Sequence, residues 1–429
     1  MEQRPSTLSR RTLVGRTGKL GIAAALAGGV TSPAAGPWIQ RAGAQGDEIV
    51  VSAQQFSHEP LQPFVDEFTE ETGIRVSFFA NPAAGGDQVA QLTPQFAASS
   101  TPVDVLSSSD EAAPLFVRAG WMEPLDDIIP DGFWDDWDQS VRDYVAIWST
   151  VDDQVYRIPH GWSVGYFWTR QDILGEMGME APASWDDLRT LGEAARADGK
   201  YAFADAASQP SLAFVYAAYV VAQAGGSIFD FDEGTRTAFE FARELVDQEY
   251  FPRAAANWTY DQLNAAYMDD ALVTMRQWPF FYDVSRDNTE WFAEEKTAIV
   301  LPPAGPGGQR ATWAGAWGWM VPRFSQKIDA AKEYIRFMTA PERAGPLAEA
   351  MSDYITPRQS TFDVLQGQGL AANLAEYSEA GVITPRPFHP RVSEAQAIVD
   401  TLFNGYLTGQ YTIDDVIANG QRDIAALTE

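Results

Sequence analysis

The chain holds 14 tryptophans, and aromatic residues make up 12% of it. Tryptophan offers a large flat apolar face and one N–H, so a ring left in a loop can serve as a platform for a ligand. The plain alternative is core filling. Trp278 is followed by Pro279, which argues for a segment leaving a strand and not for a strand interior. Trp317 sits in Ala314-Gly-Ala-Trp-Gly318, where Gly315 and Gly318 would let the backbone approach a ligand and leave the indole uncovered. Trp313 and Trp319 beside it read as structural, and Phe280 and Phe281 as core. Polar candidates are fewer. Glu59 lies near Phe56 and His58, and Asp110 and Glu111 follow a Ser107-Ser-Ser109 run. Each acid could meet a ligand or cap the helix that follows; for Asp110 both readings stand, and for Glu111 the cap is favoured. His58, His160 and His389 are far apart and show no metal-ligand spacing. With no cysteine, thiol catalysis, disulfides and zinc–cysteine sites are excluded. No metal, cofactor or catalytic group is expected.

Charge narrows the partners. The chain carries 30 Lys+Arg against 59 Asp+Glu, a formal net charge of −29. Six of the bases, Arg4, Arg10, Arg11, Arg16, Lys19 and Arg41, fall within residues 1–44, with only Glu2 opposing them. Removing that segment leaves 24 basic and 58 acidic residues. A body that acidic is repelled by phosphate backbones and anionic lipid head groups, which argues against nucleic acid as a partner.

The same N-terminal segment reads as an export signal: Ser9-Arg10-Arg11-Thr-Leu-Val14, a Gly/Ala-rich apolar run from Leu20 to Val30, then Ala42-Gly-Ala44. The paired arginines resemble a twin-arginine signal, although Gly15 stands where Lys is usual. Cleavage is expected after Ala44, leaving residues 45–429 outside the cytoplasmic membrane, periplasmic or extracellular. Without a cysteine there is no site for a lipid tether.

The elements that must position these residues alternate. Glu48–Ala53 reads as a strand, Leu61–Thr72 as a helix closed by Gly73, Ile74–Phe79 as a strand, Gln88–Ser99 as a helix and Val103–Leu106 as a strand. Tyr166–Thr169 resumes the pattern, a helix opens at Ser184-Trp-Asp-Asp187, and Phe239–Gln248, Asp329–Thr339 and Glu394–Leu407 are helical. This alternation indicates an α/β fold with a parallel sheet. The Leu301-Pro-Pro-Ala-Gly-Pro-Gly-Gly308 stretch suits a crossing or hinge.

Ten segments in order resemble the extracellular solute-binding proteins that feed sugar transporters of the ATP-binding-cassette type. They include Phe64–Val76, Val103-Asp-Val-Leu106, Ala119-Gly-Trp-Met-Glu-Pro-Leu-Asp-Asp127 and Asp153-Gln-Val-Tyr-Arg-Ile-Pro159. Ala183-Ser-Trp-Asp-Asp-Leu188, Ala271–Tyr282, Leu301–Pro306, Ala314–Gly318, Ala330–Phe337 and Arg386-Pro-Phe-His-Pro390 complete them. The resemblance implies two hinged α/β lobes of the type II periplasmic binding kind, joined by three crossings. The first lobe would hold residues 45–159 and 319–383, and the second 160–318 and 384–429. It implies a carbohydrate in the cleft between them and permease subunits of a membrane importer as partners; nothing suggests more than a monomer. Carried over residue by residue, ligand contacts would fall on Glu59, Asp110, Trp162, Ser163, Trp278, Tyr282, Gly315, Trp317 and Arg386. Arg386 could equally form a salt bridge across the hinge. Ser163 stands where related disaccharide binders carry an acid, which leaves the sugar open, from mono- to oligosaccharide.

Three rival readings remain. A glycosidase would need two carboxyl groups facing each other across one bond, and nothing pairs Glu59 with Asp110 that way. An acidic, aromatic cleft would also suit a polyamine. A glycerol phosphodiester would want convergent basic groups, of which Arg386 is one.

Overall fold

A computed structural model of the chain describes residues 48–82, 85–137, 139–287, 296–352, 355, 358, 361, 365 and 369–427. The expected export signal lies outside the described residues. In the first lobe β1 (Glu48–Gln54) lies between β2 (Arg75–Asn81) and β3 (Val105–Ser109), all three parallel. The linking helices are His58–Thr72 and Gly85–Ala97. The first buries Leu61, Val65 and Phe68 at helical spacing and ends at Gly73, whose φ of 76° gives the left-handed turn that closes a helix. Strand alternation sends neighbouring side chains into two cores. Val105, Trp319 and Val321 pack with Phe68 and Tyr334 on one face, and Leu106 and Met320 with Phe96 and Phe116 on the other.

The remaining strands are β4 (Met122–Glu123), the hairpin of β5 (Thr150–Val151) and β6 (Gln154–Val155), β7 (Ile158–Val164), β8 (Tyr166–Arg170), β9 (Tyr201–Ala204), β10 (Leu272–Gln277), β11 (Thr297–Val300), β12 (Thr312–Pro322) and β13 (Ile383–Pro385). The first sheet is mixed and not purely parallel, because the returning β12 pairs antiparallel with β3, β4 and β7. The second lobe has the strand order β11-β8-β10-β9. Among its described strands only β9 and β10 pair in parallel. Its helix Leu212–Gln223 is apolar on every side and correspondingly buried along nearly its whole length. The helix Trp185–Ala197 starts at Ser184, whose side chain accepts the Asp187 N–H as the sequence suggests.

The chain passes between lobes where β7 runs into β8 through Gly165, along β12, and from β13 to Arg386. Two expectations shift here. The helix Leu370–Glu379 falls in the stretch assigned to the first lobe, yet its Tyr377 is buried in the second-lobe core, accepting the Phe167 N–H. The Pro/Gly-rich stretch at 301–308 is not a crossing: Ala304 pairs with Ser184, and Gly305 packs on Gln223, within the second lobe.

His160 on β7 is buried against β3 and β12. Its Nε2 lies 2.9 Å from Ser107 Oγ, and its ring centre 4.2 Å from that of Trp319. Burial first, and then the neighbouring Arg157 charge, push its pKa from 6.5 to about 3. Between those values the unfolded chain binds a proton that the fold refuses. The stability tied to the neutral ring is therefore complete above the unfolded pKa and is lost as pH falls toward the folded one. The melting-temperature advantage of the parent over His160→Gln should shrink between about pH 7.5 and about pH 5. An unchanging gap would contradict this.

Candidate functional site

The carboxyl ends of β1 and β3 supply Gln54 and Ser109, and the turn after β3 supplies Asp110 and Glu111, the place where open α/β sheets present ligand groups. Facing them from the second lobe are Ser211 and Val215 at the start of the central helix, Tyr260, and Trp278 and Phe280 beyond β10. Ser163, Gly315, Trp317 and Arg386 come from the crossings. Together these residues line one cleft between the lobes.

Asp110 is tied on every side. Arg157 donates to it at 2.5 Å, the Ala316 N–H at 2.8 Å, and the Tyr144 hydroxyl forms a further short bond. Burial, and next the Asp110 charge, push the Tyr144 phenol far up, so it stays a donor. Arg386 lies 3.8 Å from Asp110 and bonds Glu111 at 2.7 Å. Burial alone would raise the Glu111 carboxyl; the Arg386 charge and hydrogen bonds from Ser109, Arg386 and its own backbone hold it below the usual range. Neither acid is a helix cap. Arg386 makes the salt bridge that the sequence left open, and its guanidinium also sits 4.7 Å from the Trp313 ring centre. In the second lobe Asp205 and Arg276 form another fully buried pair, 2.6 and 2.5 Å apart across two bonds.

Of the nine residues singled out from sequence, Asp110, Ser163, Trp278, Gly315, Trp317 and Arg386 line this cleft. Glu59 does not: it is exposed in the first turn of the helix His58–Thr72, where its charge complements the helix dipole. Trp162 faces a separate cavity behind Arg386, with Tyr144, Trp148 and Phe388. Tyr282 lines neither cavity, being carried past the cleft by the helix Phe280–Asp287.

Trp278 is half-buried and fixed. Its indole N–H donates to Tyr260 Oη at 2.7 Å, the Arg276 guanidinium sits 4.8 Å from its ring centre, and Trp313 meets it edge-on. Phe280, read as core, is a cleft residue instead, while Phe281 is fully buried. Trp313, Trp317 and Trp319 occupy odd positions and would share one face of a regular strand. They do: the irregularity opposite Trp317 and Gly318 is an extra residue, His160, in β7, and the β12 pairing with β3 runs on unbroken. Trp313 lies in the second-lobe core and Trp319 in the first-lobe core, and Trp317 falls between them at the cleft, half-exposed. Gly315 has a different role from the one expected. A Cβ there would lie 3.1 Å from Asp110, so the missing side chain admits the carboxylate rather than a ligand. Gln54, Ser211, Tyr260 and Trp313 had no signal in the sequence beyond a strand end, a helix start and an apolar stripe.

A two-lobed α/β chain with an aromatic-lined cleft where its crossings meet has the build of a binding protein that closes around a solute. Residues 57–344 match the family described as bacterial extracellular solute-binding protein, and the chain belongs to that family. A protein of Pseudomonas aeruginosa described as mannitol-binding is 23% identical over 371 residues, 78% of this chain and 82% of that one. A probable ABC transporter-binding protein of Deinococcus radiodurans is 24% identical over 208 residues, which span only 49% of its length. Among solved structures, maltose-bound MalE3 of T. maritima superposes with a TM-score of 0.79 at 20% identity, covering 89% of this chain and 99% of the other.

The buried acid–arginine knot yields a direct expectation. Arg157→Met should strand Asp110 in the interior and lower the unfolding free energy by ~3–5 kcal/mol, read from the urea midpoint. A loss below about 1 kcal/mol would show that the pair is not structural.

Proposed function

We propose that this chain binds a neutral carbohydrate in the interlobe cleft and hands it to the permease of an ATP-binding-cassette importer. The observation that carries the reading is charge cancellation. Asp110 faces Arg157, Glu111 faces Arg386, and Asp205 faces Arg276. A polyamine would need carboxylates left over for its ammonium groups, and a phosphodiester would need spare cations; the paired charges offer neither. What the cleft presents to a ligand is half-buried aromatic surface, Trp278, Phe280 and Trp317, with neutral amide and hydroxyl groups between. That combination suits a sugar, with weakly apolar faces and a rim of hydroxyls. The relatives described as mannitol-binding and maltose-bound support the same class.

Glycoside hydrolysis is disfavoured, because Asp110 and Glu111 are consecutive and each is held by an arginine, not set across a bond to be cleaved. In this reading the lobes bend at the crossings near Gly165, Gly315 to Gly318 and Arg386. The protein works as an exported monomer, periplasmic or extracellular, released by cleavage after Ala44 and free of a lipid tether.

Calorimetry on the purified protein should show a neutral sugar binding, with spermidine and glycerophosphodiesters silent. Stabilisation by spermidine and by no sugar would overturn the proposal. Trp317→Ala should weaken the sugar at least tenfold, roughly 1.4 kcal/mol, with the fold intact. Unchanged affinity would remove Trp317 from the site.

A further inference from the structure

Among the described residues the lobes touch at several places, Arg118 with Glu394 being one, and two of the contacts lie beside the cleft. At the rim Phe56, 37% exposed, stacks on Phe280 with ring centres 5.7 Å apart. In the interior the Gly86 N–H donates to Ser211 Oγ at 2.8 Å. Phe56, Phe280, Ser211 and Gly85 line the cavity, so both contacts border the ligand space. The interior contact is held firmly. Asp400 accepts the Ser211 N–H in a short bond and the Phe214 N–H at 2.6 Å, fixing Ser211 at a φ of 80° that a serine rarely adopts. Each contact joins one lobe to the other, so each exists only while the cleft is shut. A ligand that protruded past either would part them.

Gln54 lines the same cavity from the first lobe. It is 5% exposed, and its side-chain amide has no hydrogen-bond partner among the described residues. The amide atoms are not among the fully buried unpartnered ones, so they open onto the cavity, where a ligand hydroxyl can take the place of water. A primary amide both donates and accepts, which matches a hydroxyl, itself donor and acceptor, and selects for no charge.

From these contacts we infer that the ligand is enclosed whole: a single-ring sugar or an open-chain alditol of the same carbon count, not a disaccharide, with its hydroxyls held by Gln54. The inference rests on the carbohydrate reading and adds size and a specificity residue to it. A calorimetric panel on the full-length protein tests both, with hexoses and hexitols set against maltose, trehalose, sucrose and cellobiose, and spermidine as the charged control. At least one hexose or hexitol should bind tenfold or more tightly than every disaccharide. Gln54→Met should weaken that ligand at least tenfold while the ligand-free melting temperature holds, since the amide faces the cavity and bonds no other described residue. A disaccharide binding more tightly than every single-ring sugar and alditol overturns the size inference and leaves the carbohydrate reading standing. Parent-like affinity in Gln54→Met removes that residue from the contact. Silence from all neutral sugars, with or without a response to spermidine, contradicts both the size inference and the reading beneath it.

Discussion

Two consecutive acids, Asp110 and Glu111, hold the crossings together. Asp110 takes the Arg157 guanidinium from the start of the first crossing and the Ala316 N–H from the second; Arg386, from the third, bonds Glu111 and lies beside Asp110. Buried ion pairs of this kind add little net stability, because desolvation offsets most of the attraction. Their effect is on geometry: any arrangement of the crossings that separates these groups leaves a bare charge in the interior. Those groups hold β12 where it passes from the second-lobe core at Trp313 to the first-lobe core at Trp319, with Trp317 half-exposed between them at the cleft.

The same knot sets the chemistry of the cleft. With its acids and arginines neutralising each other, the site has no charge to offer, and affinity must come from rings and neutral hydrogen bonds. Covering half of a tryptophan removes about 100 Å² of apolar surface from water, ~2.5 kcal/mol at 25 cal/mol per Å². A few such contacts, together with hydroxyl bonds to groups such as Gln54, suffice for a specific site without electrostatic help. Lobe closure completes it by bringing Phe56 to Phe280 and Gly86 to Ser211.

Local pattern made the skeleton legible. Leu61, Val65 and Phe68 announce a helical face, Gly73 its end, and Ser184 the start of another, and all three behave so. Glycines around Trp317 and the proline after Trp278 pointed to two residues that line the cleft, because backbone freedom is written in the residue type. Pairings over distance were not legible. Arg157 is 47 residues from Asp110 and Tyr144 is 34, so nothing nearby showed that the carboxylate was committed to structure. Glu59 has the right chemistry and lies near the cleft in sequence, yet one helical turn points it to solvent. Phe280 and Phe281 look alike in sequence, and only the start of their helix sends one to the cleft and the other to the core. Tyr377 reaches the second-lobe core through tertiary packing that no periodicity encodes.

A cleft with cancelled charges should close on a neutral, enclosed sugar. Native mass spectrometry of the protein purified without added ligand tests it most directly. The expected result is an adduct with the mass of one hexose or one hexitol, released on unfolding. An adduct carrying phosphate, or one with the mass of a polyamine, would contradict it.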